Sequence, residues 1–256
     1  MKTKKILYTN GCSWTAGYSI MEDPGYISNP QLLDDQNERY ALSWSAVLQK
    51  KLGIPNLVND ALGGGSNNRM VRMTCSWVLE YLKDNSPDDL FVIIGWTEPN
   101  RNEIFYDSKW ERFNMARPFS ETIDPPRTDY HIDRIDKIKD DYLTWVQNAK
   151  YDLTHYFQTV MLMSNFLENQ GIDFLFFNSI PCIDDWSLPF NDYVNSDFQP
   201  YIDYKINHKS IITEMSMYWY MEAHKISLSP CLHPMIEGHS RWAEYLNSYI
   251  EENHDG

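Results

Sequence analysis

Leu90-Phe91-Val92-Ile93-Ile94-Gly95 is an unbroken apolar run of strand length, closed by a glycine. A strand with one wet face alternates apolar with polar residues, so a continuous run ending in three β-branched side chains reads as a strand covered on both faces. Ile172-Asp173-Phe174-Leu175-Phe176-Phe177 repeats the pattern later in the chain. Two shorter stretches join them: Lys5 to Thr9, broken by Asn10-Gly11, and Asn56-Leu57-Val58-Asn59. Helical patterns lie between these strands. Ala41 to Leu52 spaces Leu42, Val47, Leu48 and Leu52 helically and stops at Gly53, and Asn67 to Leu82 sets Met70, Val71, Cys75, Val78, Leu79 and Leu82 on one face. Tyr142 to Asn169 is a long helical pattern ended by Gly171, and a last helix runs from about Ile236 to Ile250.

Strands alternating with helices through short loops predict an α/β fold: a central parallel sheet of four to five strands with helices on both faces. Lys225 to Leu228 is the candidate for the fifth strand. A chain of 256 residues accommodates one sizeable core, so residues 1–256 read as a single domain. Ligands of such sheets gather beyond the carboxyl ends of the strands, which directs attention to the loops after Thr9, Asn59, Gly95 and Asn178. Two stretches fit no layer, at about 18–40 and 101–140, and read as irregular insertions walling the substrate site.

The net charge of −14 and an isoelectric point near 4.8 make the average surface repel phosphate backbones and anionic headgroups. Nucleic acid and membrane are therefore not expected as partners. Lys2, Lys4 and Lys5 precede an apolar run that stops at Tyr8 with no small-residue cleavage site behind it, so no signal peptide is read. The four cysteines, Cys12, Cys75, Cys182 and Cys231, have no C-x-x-C spacing, which suits reduced thiols in a cytoplasm. Gly63-Gly64-Gly65 matches no nucleotide-binding pattern and no histidine pair has metal-ligand spacing, so no cofactor or metal is expected.

Chemistry is sought at Ser13, just past the glycine turn that follows the first strand, and at His233-Pro234 near the other end. A serine is a weak nucleophile until a base removes its proton, and the usual base is a histidine whose other ring nitrogen is held by an acceptor. Taken singly, a Gly-x-Ser tripeptide is a turn and a histidine a loop residue. The string Gly11-Cys12-Ser13-Trp14-Thr15 is not the G-x-S-x-G elbow of α/β-hydrolases.

Four blocks together resemble the SGNH, or GDSL-like, hydrolases. Gly11-Cys12-Ser13 is similar to the Gly-Asp-Ser nucleophile block, and Asn59-Asp60-Ala61-Leu62-Gly63-Gly64 to the block whose glycine donates an oxyanion N–H. Gly95-Trp96-Thr97-Glu98 stands where that family has Gly-x-Asn-Asp, and Cys231-Leu232-His233-Pro234 resembles its closing Asp-x-His-Pro block. The resemblance implies a three-layer flavodoxin-like fold, Ser13 as nucleophile, His233 as base, and an oxyanion site of the Ser13 and Gly64 N–H groups with Thr97 or Asn100.

The departures fall on functional positions. Thr97 replaces the oxyanion asparagine, and Cys231, at the orienting position, replaces the aspartate that would hold His233, which predicts either a substitute acceptor such as a backbone carbonyl or weak catalysis. Cys12 also replaces an aspartate; two reduced thiols are preferred to a Cys12–Cys231 redox pair. Trp14, Trp96, Asn67 and Arg101 are the candidate substrate contacts at these strand ends. The expected activity is that of a serine esterase or deacetylase acting on a small or carbohydrate-linked ester, the alternative being a catalytically weak or inactive binding or structural protein on the same scaffold.

Overall fold

The computed structural model of the chain describes residues 4–18, 20, 36–106, 109–114, 137, 141, 149–180 and 199–254. Its centre is a four-stranded parallel sheet of β1 (Ile6–Gly11), β2 (Asn56–Asn59), β3 (Leu90–Trp96) and β6 (Asp173–Asn178), in the order β2-β1-β3-β6. The predicted α/β architecture is the one observed. Every residue of Leu90–Ile94 is fully buried, because β3 is interior in the sheet and apolar side chains leave it toward helices on both sides. Tyr8 of β1 lies 4.7 Å between ring centroids from Trp77 on one face. Phe177 of β6 meets Trp44 at 5.4 Å and Trp242 at 5.1 Å on the other.

Trp77 belongs to α3 (Asn67–Tyr81), which packs with α4 (Ala149–Asn169); Trp44 belongs to α2 (Trp44–Lys51) and Trp242 to α7 (Ile236–His254), which pack together. Two further helices, α5 (Gln199–Asn207) and α6 (Met217–Ala223), complete the described helices with α1 (Gln36–Leu42). The helix expected over Ala41–Leu52 is broken at Ser43. Ser43 is extended, at φ −62° and ψ 155°, and its hydroxyl donates to the Tyr40 carbonyl at 2.7 Å and lies 2.8 Å from Ser45 Oγ.

Lys225–Leu228 is not a fifth strand. Leu228 makes one antiparallel bridge with Pro234, and among the described residues the sheet is extended beyond β6 only by an isolated bridge between Phe176 and Ile211. The segment read as irregular from 101 opens instead with an antiparallel hairpin, β4 (Arg101–Tyr106) and β5 (Lys109–Asn114). The hairpin is fixed to α3 by a two-point ion pair, Arg72 to Glu103 at 2.8 and 2.9 Å, with the guanidinium 4.4 Å above the Trp110 ring. Most of both expected insertions, and Cys182, lie outside the described residues.

Parallel register aligns Gly11, Gly95 and Phe177 across the carboxyl edge. Gly95 is required there: an added Cβ would come within 2.5 Å of Ser179 Oγ and 2.9 Å of the Phe177 ring. Among the described residues no helix is long and apolar enough to cross a membrane.

Candidate active site

The nucleophile turn is set by the polar end of β1. Asn10 is fully buried, donates to Thr74 Oγ1 at 3.1 Å and accepts the Gly11 N–H at 2.8 Å, so the strand is held firmly up to its last residue. The chain then turns: Thr15 and Ala16 N–H both reach the Cys12 carbonyl, and Tyr18 N–H reaches that of Ser13. Asn59 at the end of β2 donates to the Thr15 carbonyl at 3.3 Å, tying the turn to the neighbouring strand. Ser13 emerges at this edge with 8% of its surface exposed.

His233 comes from a tight loop before α7. Ser229 N–H donates to the His233 carbonyl at 2.9 Å, Leu232 N–H to the Ser229 carbonyl at 2.8 Å, and His233 N–H to Ser229 Oγ at 3.1 Å. Leu232 is left-handed at φ 61°, a conformation costing a non-glycine residue about 1–2 kcal/mol. The loop delivers His233 Nε2 to 2.8 Å from Ser13 Oγ.

On its far side, His233 Nδ1 lies 3.1 Å from Cys231 Sγ, itself 3.2 Å from Ser229 Oγ. With its proton on Nδ1, His233 accepts from Ser13 O–H at Nε2 and donates to Cys231 Sγ, while either the thiol or the Ser229 hydroxyl donates in the contact between those two. In that tautomer, the one general-base chemistry needs, Nδ1–H meets in Cys231 Sγ a weaker acceptor than a carboxylate.

The Gly63-Gly64-Gly65 loop lies along the end of β1 through bonds from Asp60 N–H to the Thr9 carbonyl and from Leu62 N–H to the Gly11 carbonyl. Gly64 takes φ 67°, which glycine adopts without strain. Among the described residues neither the Ser13 nor the Gly64 N–H meets an acceptor, leaving both donors open. Thr97 is 1% exposed, and its Oγ1 is buried with no partner among the described residues. Asn100 Oδ1 is likewise buried and unpartnered, and its amide makes no bond to Ser13 or His233.

Three candidate substrate contacts have other roles. The Asn67 amide brackets the Thr97 backbone, accepting its N–H at 3.0 Å and donating to its carbonyl at 3.1 Å, so it positions Thr97 and is not open to a ligand. Trp96 is 1% exposed and packs edge-on against Phe176 in the core. Arg101 is paired with Glu98 at 2.7 Å. Trp14 is buried, with its ring 6.5 Å from that of His233 and 6.0 Å from Tyr218, so it backs the site from within. Cys12 is wholly buried in the core and is not joined to Cys231 by a disulfide. Among the described residues no cluster of histidine, cysteine or carboxylate side chains could hold a metal.

Ser229 and His239 escaped the sequence reading as site-supporting residues. A serine four positions before a histidine carries no distinctive signal. His239 is fully buried, accepts the Trp44 N–H at Nδ1 (3.1 Å), and has its pKa pushed down to about 3, chiefly by burial and secondarily by the nearby His233.

The fold is similar to that of a solved esterase. The psychrotrophic esterase EstA from Pseudoalteromonas sp., solved as a complex inhibited by monoethylphosphonate, is similar with a TM-score of 0.52 at 10% identity, covering 99% of this chain and 100% of the esterase. Lipase Lip_vut3 from a goat rumen metagenome (TM-score 0.47, 14% identity, 95% and 96% covered) and a member of the lipolytic G-D-S-L family from Veillonella parvula (0.44, 14%, 98% and 98%) are also similar. No curated protein matches by sequence. The chain belongs to DUF6071, a family of unknown function, through a match over residues 27–255.

Proposed function

We propose that the protein is a divergent SGNH-type serine hydrolase, an esterase or deacetylase that cleaves a small or carbohydrate-linked ester through an acyl-enzyme on Ser13. The observation that carries this is the 2.8 Å contact between Ser13 Oγ and His233 Nε2 at the carboxyl edge of the sheet.

Ser13 Oγ attacks the carbonyl carbon as its proton passes to His233 Nε2. The oxyanion lies against the Ser13 and Gly64 N–H groups, with Thr97 Oγ1 or the Asn100 amide as a third donor. His233 then protonates the leaving alkoxide, and a water activated by the same nitrogen releases the acid. The substrate is a soluble ester of the cytoplasm, and neither nucleic acid nor membrane takes part.

A catalytically weak or non-catalytic binding role is the second reading, favoured by the thiol where the oriented histidine would meet a carboxylate. Purified protein is expected to release nitrophenol from short acyl esters, whereas wild-type rates equal to those of Ser13→Ala would support the binding role.

A further inference from the structure

The segments that carry Ser13 and His233 are linked by a path of hydrogen bonds through α2. Helix α2 has a serine at its N-cap, but Ser43 makes no side-chain cap; its hydroxyl is occupied by the Tyr40 carbonyl and Ser45 Oγ. The first N–H of the helix, on Trp44, is instead accepted by His239 Nδ1 from α7, and both residues are wholly buried. An open N–H at a helix start needs an acceptor, and inside a core only the protein can supply one. On the other side of α2, Ser45 Oγ accepts a bond from Asn59 Nδ2 at 3.2 Å, and the same amide holds the Thr15 carbonyl of the nucleophile turn. His239 lies in the first turn of the helix that follows His233-Pro234 directly.

We infer that His239 is a positioning residue, which sets the distance between Ser13 and His233 by capping α2 from α7. The inference rests on the catalytic reading of those two residues. For Nδ1 to accept, His239 carries its proton on Nε2 and stays neutral. A protonated ring would turn a donor toward the Trp44 N–H, and the α2–α7 tie would open.

Two variants of the full chain separate positioning from bulk. His239→Leu removes the acceptor and keeps the volume apolar; His239→Asn returns an acceptor near the place of Nδ1. Each is first checked for folding by circular dichroism, and then kcat and KM for nitrophenyl acetate and the hydrogen exchange of the Trp44 amide are measured. The expected result is a kcat roughly tenfold lower in His239→Leu with KM unchanged, the scale of loss that small displacements of reacting groups produce, with recovery in His239→Asn. The Trp44 amide should exchange slowly in wild type and His239→Asn and fast in His239→Leu. Wild-type kcat in folded His239→Leu, or equal Trp44 exchange in all three proteins, overturns the inference. If wild type has no esterase activity, the catalytic reading fails instead, and the exchange rates still decide whether His239 caps α2.

Discussion

Replacing Cys231 by aspartate should make this site faster, which is unusual for a change beside a catalytic base. The thiol stands 3.1 Å from His233 Nδ1 and is a weak, neutral acceptor. A carboxylate there would shorten the contact to about 2.7–2.9 Å and make it charge-assisted when His233 is imidazolium. Hydrogen bonds to charged groups contribute about 1.5–3 kcal/mol net, against about 0.5–1.5 kcal/mol for neutral ones, so the gain is on the order of 1–2 kcal/mol. At about 1.4 kcal/mol per tenfold, kcat should rise roughly five- to twenty-five-fold. The lower end is expected because Cys231 is only partly buried and water screens part of the attraction. KM should be little changed, since residue 231 acts on the base and not on the ester. Steady-state hydrolysis of nitrophenyl acetate by wild type, Cys231→Asp and Cys231→Ala reads this directly, with alanine expected below wild type. A folded Cys231→Asp protein with kcat at or below wild type would refute the reasoning and show that Nδ1 is not held by residue 231 during turnover.

Gly95→Ala places a methyl within 2.5 Å of Ser179 Oγ and 2.9 Å of the Phe177 ring, so urea denaturation should show a loss of roughly 1–3 kcal/mol, the usual cost of overpacking. Stability should also depend on pH through His239. Its folded pKa of about 3 lies below the unfolded value near 6.5, so below pH 6.5 the unfolded chain takes up a proton that the folded chain does not. This contribution is complete above pH 6.5 and should diminish by about 2 kcal/mol between pH 6.5 and 5. Urea titrations across that range should show a shallower pH dependence in His239→Asn than in wild type; equal slopes would mean that the imidazole titrates normally.

The sheet was legible because β3 and β6 are nearly continuous apolar runs and the helices before β2 and β6 end at Gly53 and Gly171, where the backbone takes φ 65° and 71°. The break at Ser43 was not, since the residues on either side keep helical spacing and the cap on Trp44 comes from His239, far along the chain. The β4–β5 hairpin was hidden by its charges: Glu103 looks like a surface residue until Arg72, on a distant helix, is found paired with it. That Ser13 and His233 meet was readable because strand ends fix where such loops come together. The roles of Asn67 and Trp96 were not, because position at a strand end does not say whether a side chain turns to the cleft or to the protein. Cys231 was read as a missing aspartate, whereas the fold uses the thiol itself as the neighbour of Nδ1.

The central claim, that Ser13 is a nucleophile activated by His233, is tested most directly by treating the protein with a fluorophosphonate and mapping the adduct by peptide mass spectrometry. A phosphonyl group on Ser13 is predicted, absent in Ser13→Ala and formed far more slowly in His233→Ala. Folded wild-type protein that leaves Ser13 unmodified, or labels equally fast without His233, would contradict it.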